Sequence, residues 1–241
     1  MQDELETLLE KPSCKEQLVY IRTVLFMRTI QISLAMLLAG FMLLDKTINN
    51  FFDGKIWLAI LLKFLLVPVL WALFKYDKIA DNKWLSWLMA FLATFFLGVL
   101  FGSIFPTFGK RPGLIVLIAL ISVHVVLLLH SLLEYKKYSI FRGILSVLAF
   151  EIANILTIYF IEPGNILLNI FCPLFTCVYG CFMAWHSENI ANGKIRPVIK
   201  GRWAIGVMSI YVDFTLIKIY IAQFIVSKCK KKKPEQTSDK I

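Results

Sequence analysis

Charge is scarce in this chain: 17 % of its 241 residues are Asp, Glu, Lys or Arg, against 59 % hydrophobic residues and a mean hydropathy of +0.73. A soluble chain of this size cannot hide so much apolar surface, which excludes an ordinary globular protein and points to a membrane. The short alternating runs of a transmembrane barrel, about ten residues per strand, are also missing. No Asn-x-Ser/Thr sequon occurs, so nothing points to glycosylated outer loops. The cysteines (14, 172, 177, 181 and 229) are odd in number and three lie in one apolar run, which excludes a secreted disulfide framework. Cys172, Cys177 and Cys181 read as small packing residues, and Cys14 and Cys229 as positions open to acylation. There is no Walker loop, dinucleotide fingerprint, nucleophile–base spacing or zinc-ligand spacing. The chain is therefore expected to be no enzyme and to hold no metal or cofactor, and nothing in it points to nucleic acid.

Apolar runs of spanning length, roughly 20 residues each, fill the rest. Seven are expected, at about 24–44, 56–74, 84–105, 113–133, 143–161, 166–186 and 203–226. The expected fold is an all-α membrane protein, a bundle of seven transmembrane helices. A polar acidic segment (1–23) precedes the transmembrane domain (24–226), and a Lys-rich tail (227–241) follows it. The first segment lacks the basic start of a cleavable signal, so span one is expected to act as a retained signal anchor.

Lys and Arg are distributed unevenly between alternate loops. One side carries Lys11, Lys15, Arg22, Lys75, Lys78, Lys83, Lys136, Lys137, Arg142, Lys194, Arg196, Lys200 and Arg202; the other has only Lys46, Lys55, Lys110 and Arg111. The positive-inside bias places the N-terminus in the cytosol. Strict seven-span topology then leaves the tail "SKCKKKKPEQTSDKI", with its six lysines, outside. A re-entrant last segment would instead return those lysines to the cytosol, beside anionic lipid. Seven full spans are preferred here.

Polar residues inside the apolar runs are few. Arg28, one turn inside span one, is expected to snorkel to the cytosolic headgroups. Lys63, central in "LAILLKFLLVPVL", is expected to turn inward to a carboxylate, either Glu151 or Asp213. Asn154 follows Glu151 by three residues and shares its face. His124 and His130 read as helix-core histidines hydrogen-bonded to neighbours. Gly98 and Gly102 form a small-xxx-small pair that favours close helix packing. Pro68 and Pro173 are expected to kink spans two and six. In "IYVDFTLIKIY", Asp213 shares a helical face with Gly206, Ser209, Leu216 and Tyr220, whereas Lys218 points away. A central acid on a packed face is a functional candidate.

The last third of the chain resembles the transmembrane Bax inhibitor motif (Bax inhibitor/lifeguard) family. "IYVDFTLI" is similar to that family's last span, with Asp213 as its acid. "YGCFMAWHSENI" is similar to the preceding span, with Trp185, His186 and Ser187 over a Tyr-Asp-Thr triplet. "LLLHSLLEYKKYSIFRGIL" is similar to the junction of spans four and five. The resemblance implies a seven-span endomembrane protein of the endoplasmic reticulum or Golgi that leaks calcium from stores and suppresses cell death. It also implies an acid pair near the cytosolic mouth. Asp213 carries over, but His186 stands where the span-six acid belongs, and Leu216 replaces an asparagine. These departures mark a divergent member, such as the viral copies.

A histidine opposite an aspartate reverses the chemistry of an acid pair. Protonated His186 and ionised Asp213 attract one another, forming a latch closed at neutral or mildly acidic pH and loosened as the histidine loses its proton. On this reading the permeant ions are calcium or protons. The rival reading is a non-conducting membrane adaptor, for example a viral immune- or death-modulating protein, whose partners are membrane proteins. A secondary transporter is disfavoured, because the chain halves show no internal repeat.

Overall fold

The computed structural model describes residues 13–52, 55–104, 109–161, 163–192 and 203–209, and all regular structure among them is helical. The helices are α1 (Cys14–Leu44), α2 (Lys46–Phe52), α3 (Ile56–Lys75), α4 (Asp77–Asp81), α5 (Lys83–Ile104), α6 (Lys110–Leu133), α7 (Ile140–Ile161) and α8 (Ile166–Ala191). Residues 203–209 form a further helical stretch. Among the described residues, five helices (α1, α5, α6, α7 and α8) are long and apolar enough to cross a bilayer, and Phe64–Lys75 of α3 is a shorter apolar helix. The chain is thus a multi-pass helical membrane protein. The expected span at 56–74 coincides with α3; that at 203–226 lies outside the described residues beyond its first seven.

Local chemistry sets the helix boundaries. Ser13 and Glu16 form a reciprocal capping box, in which Ser13 Oγ accepts from Glu16 N at 3.3 Å and Glu16 Oε2 from Ser13 N at 3.1 Å. Helix α1 therefore begins ten residues before the expected span, and its 31 residues are about 46 Å long against a hydrocarbon core of about 30 Å. Its first turns stand outside the apolar slab. The Asn82 side chain accepts from the Trp84 and Leu85 amides at the start of α5, and Asn165 Oδ1 from Leu168 N at the start of α8. Gly109, at φ 90°, turns the chain into α6, a left-handed conformation that glycine adopts without strain. Both α3 and α8 run on through Pro68 and Pro173.

Helix α1 is the hub. It packs against α5, α6 and α8; α3 packs on α5 from outside, and α7 packs on α8 and α6. The expected close approach at Gly98 and Gly102 occurs on α1. A Cβ on Gly98 would lie 2.9 Å from the Ala35 carbonyl oxygen, and one on Gly102 would lie 2.6 Å from Met42 Sδ. Gly180 does the same between α8 and α7, where a Cβ would come 2.5 Å from Val147 Cγ1. Helices in lipid gain no hydrophobic drive from meeting each other, so such close backbone approach supplies the attraction. Outward faces carry large apolar side chains, among them Leu37, Phe64, Phe91 and Phe160, as a lipid-facing belt requires.

The two α5 glycines should differ in what they tolerate. Gly98→Ala meets backbone and should cost about 1–3 kcal/mol, whereas Gly102→Ala meets the flexible Met42 side chain and should cost less. Thermal unfolding of the two variants in detergent checks the ranking, and the reverse order would contradict this packing.

Candidate functional site

Polar side chains from α1, α6, α8 and residues 203–209 meet inside the bundle. The 203–209 stretch runs along α1 from its N-terminal end. Trp203 stacks on Tyr20 at 4.9 Å between ring centroids. Gly206 lies where a Cβ would come 2.7 Å from the Tyr20 hydroxyl. Deeper in, Arg28 Nη1 donates to Gln31 Oε1 at 2.8 Å and to the Val207 carbonyl at 3.4 Å, and Gln31 Nε2 lies 3.0 Å from Met208 Sδ. Arg28 is 3 % exposed. The expected snorkelling is therefore corrected: Arg28 faces protein, with its guanidinium held by Gln31 and the Val207 carbonyl instead of by headgroups.

Two buried histidines belong to the same polar interior. On α6, His124 Nδ1 lies 2.9 Å from the Leu120 carbonyl and Nε2 lies 3.1 Å from the Tyr179 hydroxyl of α8. A carbonyl only accepts, so Nδ1 carries the proton and, in the neutral ring, Nε2 accepts from Tyr179. Arg28 lies within electrostatic reach of both His124 and Tyr179. On α8, His186 is buried, its ring stacks on Phe182, and Nε2 is 3.3 Å from Ser209 Oγ. Ser209 Oγ already donates to the Gly206 carbonyl at 2.8 Å, so His186 donates to it from Nε2. His186 thus reaches the last apolar segment four residues before Asp213, which lies outside the described residues.

Glu151 occupies a second interior position, between α7 and α8. Its Oε2 accepts from Thr176 Oγ1 at 2.9 Å and Asn154 Nδ2 at 3.4 Å, so the expected Asn154 neighbour is present. Lys63 is on α3, whose neighbours are α5 and α4, whereas α7 packs on α8 and α6. The Lys63 side chain is outside the described ones. Thr176 and Tyr179 were not singled out in the sequence. Their three-residue spacing on α8 gives one polar stripe that a search for charge passes over.

A third cluster lies at the end of the bundle where α1 and α8 meet the α6–α7 junction. Glu134 is buried; its Oε2 pairs with Arg142 Nη2 at 3.0 Å and its Oε1 lies 3.4 Å from His130 Nε2. Tyr138 packs edge-on against the His130 ring and above Gly143. Burial pushes the Tyr138 hydroxyl pKa well up; the Ser187 hydroxyl opposes this, and Glu134 and Glu188 add to it. Arg22 of α1 then clasps the end of α6, donating from Nε to the Ser131 carbonyl (3.0 Å) and from Nη2 to those of Leu132 (3.4 Å) and Glu134 (2.6 Å). A cation on the exposed carbonyls of a helix C-terminus is well placed electrostatically.

No family model, curated protein or solved structure matched the chain. Among the described residues no group of His, Cys, Asp or Glu is arranged to hold a metal ion.

The Arg22 clasp can be tested by stability. Arg22→Ala should cost about 2 kcal/mol, a fall of about 4–8 °C in Tm. Arg22→Lys should recover less than half, since one ammonium cannot span three carbonyls. An unchanged Tm for Arg22→Ala would contradict the clasp.

Proposed function

We propose that the chain is a divergent transmembrane Bax inhibitor motif protein of the endoplasmic reticulum or Golgi. In this reading it has seven spans and a cytosolic N-terminus, regulates a cation leak, chiefly of calcium, and so modulates cell death. The resemblance in the last third supports the family. The charge asymmetry of the loops supports the orientation, because Arg22, Lys136, Lys137 and Arg142 lie at the mouth closed by Glu134.

The observation that carries the mechanism is the buried Arg28 guanidinium in the polar seam. A fixed positive charge about 6 Å from a permeating ion, at an effective dielectric of about 20, opposes it by about 3 kcal/mol per unit charge. Calcium carries two charges, so on this reading the buried Arg28 charge holds the leak closed. Opening then requires the last segment to shift against α1 and α8, withdrawing the Val207 carbonyl from Arg28 and Ser209 from His186. Asp213, four residues beyond Ser209, is the acid that would neutralise Arg28 or engage His186, so the latch and the Arg28 charge both act through the same segment.

One observation favours the non-conducting adaptor instead. The polar pairs Tyr179–His124 and Thr176–Glu151 are made within the protein and need no ion.

Calcium flux into proteoliposomes separates the two readings. Arg28→Gln keeps hydrogen-bonding capacity but removes the charge, and should raise flux at least about threefold, whereas Arg28→Lys should stay near wild type. Flux at the protein-free level in wild type and Arg28→Gln alike would reject the leak and favour the adaptor.

A further inference from the structure

A cleft of about 330 Å³ opens at the end of the bundle opposite the Arg22 clasp, between α6 and α8 with the end of α5 as its third wall. Its size falls in the range of specific ligand sites, about 300–1,000 Å³. One wall is the α6 face formed by Pro112, Val116 and Leu120, and the other is the α8 face formed by Leu168, Cys172 and Phe175. Eight residues of helix separate Pro112 from Leu120, so the cleft runs about 12 Å along α6. That is close to the depth of one leaflet's hydrocarbon, about 15 Å. Leu120, Leu168 and Cys172 form a buried floor, whereas Phe175 is 57 % exposed and forms a lip on the lipid-facing side. The cleft is thus a groove parallel to the chains of the surrounding bilayer and open to them sideways.

Its outer rim is chemically different. Asn165 lines it and spends its side-chain oxygen on the Leu168 amide, leaving its NH2 group to donate outward. Lys110 and Arg111, both exposed, immediately precede Pro112 at the same level. Together with Lys46 and Lys55 they are the basic residues that the loops expected on this side carry. Two cations and an amide donor above an apolar groove one leaflet deep match a phosphate above an acyl chain.

We propose that this cleft holds one acyl chain of an anionic phospholipid drawn from the adjacent leaflet, with the headgroup phosphate at Lys110, Arg111 and Asn165. The bound chain fills the gap between α6 and α8, the two helices that carry His124 and Tyr179, and so braces that contact from the lipid side. The proposal requires only the membrane fold and is independent of calcium conduction.

The test uses the full chain in nanodiscs of equimolar phosphatidylglycerol and phosphatidylcholine, transferred to mild detergent and weighed intact by native mass spectrometry. Wild type should retain one phosphatidylglycerol per chain, enriched at least about fivefold over phosphatidylcholine. Lys110→Ser with Arg111→Ser, a change at exposed positions, should abolish the enrichment. Leu168→Trp, which fills the cleft, should abolish retention of both lipids. Wild type without retained lipid, or with equal retention of the two, would overturn the proposal. So would enrichment that survives the double substitution, or retention that survives Leu168→Trp in a monodisperse protein.

Discussion

A guanidinium that cannot lose its proton has to find acceptors wherever the fold places it, and in the interior of a membrane bundle only protein can supply them. Arg28 therefore dictates more than its own surroundings. It draws a side-chain oxygen from its own helix and a backbone carbonyl from residue 207, bringing the start of the last apolar segment against α1. The same register sets Trp203 on Tyr20, Gly206 over the Tyr20 hydroxyl and Ser209 against His186. Removing one partner of a buried charge leaves the other uncompensated, so these contacts stand or fall together.

Around that charge the bundle divides its labour. Glycines on α5 and α8 let helices approach closely enough for dispersion to hold them, and the polar residues then decide which faces turn inward. Arg22 and Glu134 close one end through the α6 C-terminus, while the opposite end is left open as an apolar groove. The ion-paired cluster at one end, the buried charge in the middle and the cleft at the other end thus divide the described bundle along its length.

Much of this was legible in the residues. Spanning length and apolar runs locate the long helices, because a bilayer imposes one dimension on all of them. Gly98 and Gly102 announced their contact, since small residues four apart form one face whatever the partner. Arg28 was misread for a definite reason. Hydropathy marks how far a residue lies along an apolar run, not which way it faces, and the carbonyl at Val207 that holds Arg28 inward comes from 179 residues away. The partners of Glu151 were legible only in part. Asn154 lies within its own helix, but Thr176 comes from α8 through a contact that periodicity cannot pair. His186 was singled out through a motif resemblance, and its hydrogen bond to Ser209 depends on the register of two helices rather than on any local pattern.

The central claim is that the Arg28 guanidinium is enclosed by protein, and proton exchange at its side-chain nitrogens reads this directly. Arg142, whose side chain is 66 % exposed, provides an internal reference. In side-chain ¹⁵N spectra of the selectively labelled protein, the Arg28 guanidinium protons should exchange with water at least about tenfold more slowly than those of Arg142. Equal rates at the two positions would place Arg28 in the headgroup region and contradict the account.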